Sequence, residues 1–142
     1  MNDKAPKSFH DKTGGMAYFP RMLEKIRLYA KGELREDCHA NLGGAARGDG
    51  LCCRFLRVEY EALKQRVLAG GTDEEILKWC FTTGRELNET DIFVWNEFIR
   101  KRGWNDEAAG RLSAWKQESG RADRADLMTI PDYTEVLEGR KP

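Results

Sequence analysis

Apolar residues recur every three to four positions over residues 18–30, and a glycine, Gly32, ends the pattern. At 100° per residue, Tyr18, Phe19, Met22, Leu23, Ile26, Tyr29 and Ala30 fall within an arc of about 140°. A stripe of that width is a helix face turned toward a core. Pro20 suits the first turn, where its missing N–H costs nothing. The spacing therefore predicts a helix over 19–31. The same device, an apolar stripe cut off by glycine, returns along the chain. It confines the fold to short helices packed on one another.

Leu56, Tyr60, Leu63 and Val67 share a face, and Gly70-Gly71 ends a helix read over 51–69. Thr72 and Glu75 have the spacing of a capping box. The helix behind it carries Ile76, Leu77, Trp79, Cys80 and Phe81 over a wide arc and closes at Gly84, which marks it as central. In "ETDIFVWNEFIRKRG" the run Ile92–Trp95 has strand character, but the pattern continues through Phe98 and Ile99 to Gly103, and length decides for helix. Asn88 or Thr90 caps it, and Arg100, Lys101 and Arg102 fall in its last turn, where the dipole favours cations. Asn105 is read as the cap of one more helix, with Ala108, Leu112 and Trp115 aligned. The expected fold is all-α: one compact domain of about five helices, with no convincing strand pair. Residues 1–11 are read as a polar arm and 12–142 as the domain, ending in a short docked tail around "TIPDYTEVLEG". Between the first two helices, 33–50 form a long aperiodic loop, and loops of that length are often functional.

Charged residues make up 34% of the 142 and cancel to zero. Balance of this kind argues against a dedicated nucleic-acid binder, which carries an excess of Lys and Arg. No stretch approaches the ~20 apolar residues of a membrane span, and "MNDKAPKSFHDK" lacks the apolar run of a secretory signal. A cytoplasmic location with no membrane partner is expected. The four cysteines, Cys38, Cys52, Cys53 and Cys80, are then expected to be reduced, buried thiols.

The blocks "KTGGMAYFPRMLEKIRLYAKGEL", "HANLG", "CCRFLRVEYEAL", "GGTDEEILKWC" and "WNEFIRKRGW" resemble an uncharacterised bacterial family, a domain of unknown function, over roughly residues 9–139. The resemblance implies a small cytosolic helical protein of bacterial type and brings no catalytic residues with it. Similar sequences often hold an aromatic at the position of Cys38, which argues against a mechanism built on that thiol.

Motifs that would name a chemistry are incomplete. "GGAARGDG" has the glycine spacing of a phosphate loop, but Asp49-Gly50 stands where Lys and Ser or Thr are needed. Cys38, His39, Cys52 and Cys53 offer zinc-type ligands in two adjacent pairs, a poor spacing for one tetrahedral ion. No metal and no cofactor are expected. The strongest candidate is a small anionic ligand between the first helix and the 33–50 loop. Arg21, Lys25 and Arg27 would supply charge, and the helix start, where Phe19 cannot cap with its side chain, would supply free N–H groups. His39 and Asn41 would supply directional hydrogen bonds. The reading is thus a binding module for a small anion or a protein partner. Two alternatives remain: an enzyme using His39 as general acid or base in the same cleft, and a homo-oligomeric protein. The latter would use Leu28, on the polar side of the first helix, and Tyr133, Val136 and Leu137 in the tail.

Overall fold

The computed structural model describes residues 2–142. Among these, a two-stranded hairpin (β1, Lys12–Thr13; β2, Met16–Ala17) leads into α1 (Phe19–Ala30). A 3-10 segment, Glu36–Asn41, follows. Then come α2 (Gly48–Leu56), α3 (Tyr60–Leu68), α4 (Asp73–Thr83), α5 (Glu89–Arg100), α6 (Ala109–Glu118) and α7 (Ile130–Leu137). Helix α1 packs against the hairpin, α2 and α3, while α7 meets α5 and α6. The stripe of α1 does what its spacing predicts: Phe19, Met22, Leu23 and Ile26 are buried in the core with Cys52, Leu56, Leu63, Ile76 and Trp95.

The helical class holds, but the count of about five is too low: the described residues form seven α-helices. Two departures account for it. The helix expected over 51–69 breaks after Leu56. There Arg57 turns left-handed at φ 60°, and the Leu56 carbonyl accepts the Arg85 N–H instead of continuing the helix. Gly84 makes this contact fit, because a Cβ there would lie 2.0 Å from the Leu56 oxygen. The expected docked turn at the C-terminus is a full helix, α7. Thr129 caps it by accepting the Asp132 N–H, and Pro131 sits in its first turn.

The expected absence of a strand pair is also corrected. Gly14 and Gly15 both take positive φ, 56° and 82°, which matches the right-handed twist of a two-residue hairpin. Helix α5 locks this hairpin: Trp95 Nε1 donates to the Ala17 carbonyl, and Asn96 bonds both Gly15 and Ala17. Asn105 is not a cap; it adopts φ 50°, and Asp106 accepts the Gly103 and Ala108 N–H groups ahead of α6. Capping boxes at Thr72–Glu75 and Asn88–Asp91 start α4 and α5.

The N-terminal arm is docked. Lys4 forms a parallel bridge with Leu34, and Pro6, Ser8 and Phe9 are buried. The 33–50 connection is likewise ordered, with the 3-10 segment in its middle and α2 beginning at Gly48. Both are tied to α7: Ser8 Oγ donates to Glu135, and Arg35 donates to the Leu137 carbonyl.

Candidate functional site

Arg21 and Lys25 lie one turn apart at the edge of the α1 stripe, and both are buried, 5% and 2% exposed. Burial of a charge in a low-dielectric interior demands compensation. Arg21 finds it in Glu138, which it meets through two bonds of 2.8 Å, and it donates a third to the Lys7 carbonyl. Burial opposes the Arg21 charge, but the Glu138 carboxylate holds its pKa above the ordinary arginine value. Burial likewise opposes ionised Glu138, and Arg21 and Arg140 overcome it, so this carboxyl titrates below its usual range. Lys25 pairs with fully buried Asp49 at 2.9 Å. Tyr18 completes that group: its hydroxyl donates to Asp49 and accepts from Lys25. The other Asp49 oxygen accepts the Gly43 N–H.

This second cluster explains the glycine-rich stretch. A Cβ at Gly48 would meet the Tyr18 ring at 2.5 Å, and one at Gly50 would lie 2.1 Å from the Gly44 carbonyl oxygen. The glycines let the loop close on Tyr18 and bring Asp49 to Lys25. Tyr18 itself is held at φ 75° at the start of α1, a conformation that costs a non-glycine residue and persists only where packing enforces it. The start of α1 is buried, and the Met22 N–H is satisfied by the Tyr18 carbonyl.

Beside these clusters lies a cavity in two parts. The outer chamber, about 340 Å³, opens between the 3-10 segment, α6 and α7. Cys38, Asn41, Trp115, Tyr133 and Leu137 line it, with Asp37, Glu118 and Glu138 supplying negative charge. The inner chamber, about 50 Å³, shares Arg21, Asn41, Arg47, Trp115 and Thr134 with the outer one. Five cations line it: Arg21, Lys25, Arg47, Arg102 and Arg111. No Asp or Glu does.

The cations divide into two kinds. Arg21 and Lys25 carry the buried partners just described. Arg102, also buried, reaches Glu107 at 3.2 Å and Asp106 at 3.7 Å on the solvent side and donates to the Ala46 carbonyl. Arg47 and Arg111 have no carboxylate within 4.0 Å among the described residues; both guanidinium groups lie over the Trp115 ring, at 5.5 and 5.4 Å. Four buried side-chain nitrogens in the described residues lack a hydrogen-bond partner: Arg21 Nε, Arg47 Nη1, Arg102 Nε and Arg111 Nε. All four belong to residues that line the inner chamber. Burial, followed by the charges of Arg47 and Arg102, lowers the pKa of Arg111. A chamber of this kind repels cations and favours whatever brings negative charge and acceptor oxygens.

Of the five residues singled out from sequence, Arg21, Lys25 and Asn41 line this cavity. Arg27 points away and pairs with Asp73 at 2.7 Å. His39 also lies elsewhere: its Nε2 bonds the Leu34 carbonyl at 2.9 Å and its ring meets Tyr29 edge-on. Arg47, Arg102, Arg111 and Trp115 are the residues that sequence reasoning did not place in the site. Arg111 carried a readable signal, since it stands one turn before Trp115 on α6, next to the face of Ala108 and Leu112. Cys38 faces the outer chamber, but burial pushes its thiol up to about 11, so at neutral pH it is protonated and a poor nucleophile. All four cysteines are buried and unpaired. Among the described residues, no three His, Cys, Asp or Glu side chains gather to hold a metal ion, and no helix is long and apolar enough to cross a membrane.

A family model described as Domain of unknown function (DUF5069) matches residues 3–140. The chain belongs to that family. Comparison with curated proteins and with solved structures gives no match. The matched region contains every residue of the cavity, from Phe9 to Glu138.

Proposed function

We propose that this protein is a binding module for a small anionic ligand, held in the cavity between α1, the 3-10 segment, α6 and α7. One observation carries the reading: four arginines with a buried, unpartnered guanidinium nitrogen line a chamber that no carboxylate lines. A buried donor without an acceptor costs about 1–3 kcal/mol, and the half-buried Arg47 and Arg111 also lack a carboxylate within 4.0 Å among the described residues. A bound oxyanion would offset both, because arginine forks match its oxygens. The candidates Arg21, Lys25 and Asn41 belong to this site, with Arg47, Arg102 and Arg111 added; Arg27 and His39 serve other contacts. The position of His39 and the raised Cys38 pKa favour binding over acid–base or thiol catalysis.

Thermal denaturation tests the reading. Inorganic phosphate should raise the midpoint saturably, following RT ln(1 + [L]/Kd), whereas chloride at matched ionic strength should not. Arg47→Gln should remove the saturable part. A response equal for both salts would reject the site.

A second reading, association with another copy of the chain, is favoured by a different face. Phe93, Val94 and Phe98 of α5 are 65%, 52% and 39% exposed, and Val94 and Phe98 line a shallow surface depression with Leu51, Arg54 and Phe55 of α2; clustered exposed apolar side chains mark interaction surfaces. Sedimentation of the wild type and of Phe93→Ser decides it: a mass above 16.3 kDa that the substitution returns to the monomer value supports it.

A further inference from the structure

The inner chamber is unbalanced in hydrogen bonding: its lining is rich in donors and poor in acceptors. We infer that it selects oxyanions that carry no proton of their own, such as a sulfate, a sulfonate or a carboxylate, and takes a phosphoester only in its fully ionised form. This inference rests on the anion-binding reading above and narrows it by proton content.

The donors come from every cation of the lining. Arg21 Nε, Arg47 Nη1, Arg102 Nε and Arg111 Nε are buried without an acceptor, and all four residues line the inner chamber. Arg21 and Arg102 are themselves only 5% exposed, so water does little to satisfy them. Lys25 adds to the surplus. Its ammonium has three N–H groups, while Nζ meets the Tyr18 hydroxyl at 3.1 Å and Asp49 at 2.9 Å, which leaves one N–H over. Arg47 and Arg111 lie over the Trp115 ring; a ring face engages their charge but offers no lone pair to their N–H groups.

Acceptors are scarce by comparison. No Asp or Glu lines the inner chamber. Asp49 is engaged by Lys25, the Tyr18 hydroxyl and the Gly43 N–H, and both oxygens of Glu138 are held by Arg21. The Lys7 and Ala46 carbonyls accept from Arg21 and Arg102. The side-chain acceptors that line the chamber are the neutral oxygens of Tyr18, Asn41 and Thr134, and Tyr18 already accepts from Lys25. A proton-free anion brings acceptors alone, which is what this lining lacks. A P–OH group brings one more donor into the same space, and a buried donor left without a good acceptor weakens binding. Inorganic phosphate therefore binds through its unprotonated oxygens, at a penalty that sulfate escapes.

Titration calorimetry with sodium sulfate and sodium phosphate tests this, at matched ionic strength and about pH 8, where the two tetrahedral anions carry nearly the same charge and differ by a proton. Sulfate should bind at least about fivefold more tightly, the smallest factor that an unsatisfied buried donor costs. Asn41→Asp, at a partly exposed position that lines both chambers, supplies a carboxylate acceptor with little change of shape. It should weaken sulfate more than phosphate and so narrow the ratio. Phosphate binding as tightly as sulfate to the wild type would overturn the inference and leave the anion site standing. A ratio that Asn41→Asp leaves unchanged would overturn it equally, because the supply of acceptors would then not be what the site reads. If neither salt binds saturably, the chamber holds only water and both readings fall together.

Discussion

Lys25 and Arg111 line the same small chamber, yet they stand in opposite relations to the protein. Lys25 is enclosed by Asp49 and the Tyr18 hydroxyl, and a glycine-rich loop is shaped to bring that carboxylate to it. Arg111 lies over the Trp115 ring with no carboxylate within 4.0 Å among the described residues; burial, then Arg47 and Arg102, lower its pKa against the weaker pull of Asp106 and Glu107. A buried cation whose partner is built into the fold is part of the structure. A cation left unmatched beside it costs stability unless something from outside supplies the missing charge, as the proposed anion would. The contrast between matched and unmatched charges separates what holds the fold together from the residues on which the proposed anion binding rests.

The largest effect should come from breaking a matched pair. Asp49→Ala leaves Lys25 buried without its partner and removes the acceptor for the Gly43 N–H and the Tyr18 hydroxyl. Loss of one member of a buried pair costs about 3–5 kcal/mol, measurable by urea denaturation. A cost below about 1 kcal/mol would place Lys25 in water and erase the contrast.

The Arg21–Glu138 pair should show itself in acid. The folded pKa of Glu138 lies below its ordinary value of 4.5. Its contribution is therefore fully present above the unfolded pKa and is lost as pH falls through the folded one. Glu138→Gln should reduce stability at pH 7 by about 1.5–3 kcal/mol, the range for hydrogen bonds to charged groups. It should also flatten the decline below pH 4.5. An acid limb identical in wild type and variant would mean that Glu138 is not the titrating group.

A smaller effect belongs to the outer flank of α1. Arg27 pairs with Asp73 while 31% exposed, and such pairs are worth about 0–1 kcal/mol. Arg27→Gln should shift the denaturation midpoint within that range and leave the phosphate response unchanged. Loss of the response would show that the anion sits elsewhere on α1.

These regions were unequally legible in the sequence. The α1 stripe, the Thr72–Glu75 box and the glycine stops after α1, α3, α4 and α5 are local, and local rules read them. The break between α2 and α3 was hidden, because it depends on the Leu56 carbonyl meeting the Arg85 N–H from 29 residues away. Helix α7 was underread although Thr129, Pro131 and Asp132 spell a helix start. The site divides in the same way. Arg21 and Lys25 sit at the edge of a readable stripe, so helix periodicity brought them forward along with Arg27, which the same rule could not separate. Arg102 was assigned to the dipole of α5, whereas it folds back into the interior. Arg47 and Arg111 come from a loop and a helix 64 positions apart, and only tertiary packing brings both to Trp115. The tryptophans carry the same lesson: Trp79, expected in the core of the central helix, is only half-buried, while Trp95 is enclosed.

The most direct test compares wild type with Arg111→Gln in chloride and in saturating phosphate, reading the free energy of unfolding in each. An unmatched cation should cost the free protein stability and serve the bound one. The variant should therefore equal or exceed the wild type in chloride, within about 0.5 kcal/mol of no change or above it. In phosphate the order should reverse, because the wild type gains binding energy that the variant has lost. If Arg111→Gln is instead destabilised by more than about 1 kcal/mol in chloride, and by the same amount in phosphate, Arg111 is a structural residue and the chamber holds no anion.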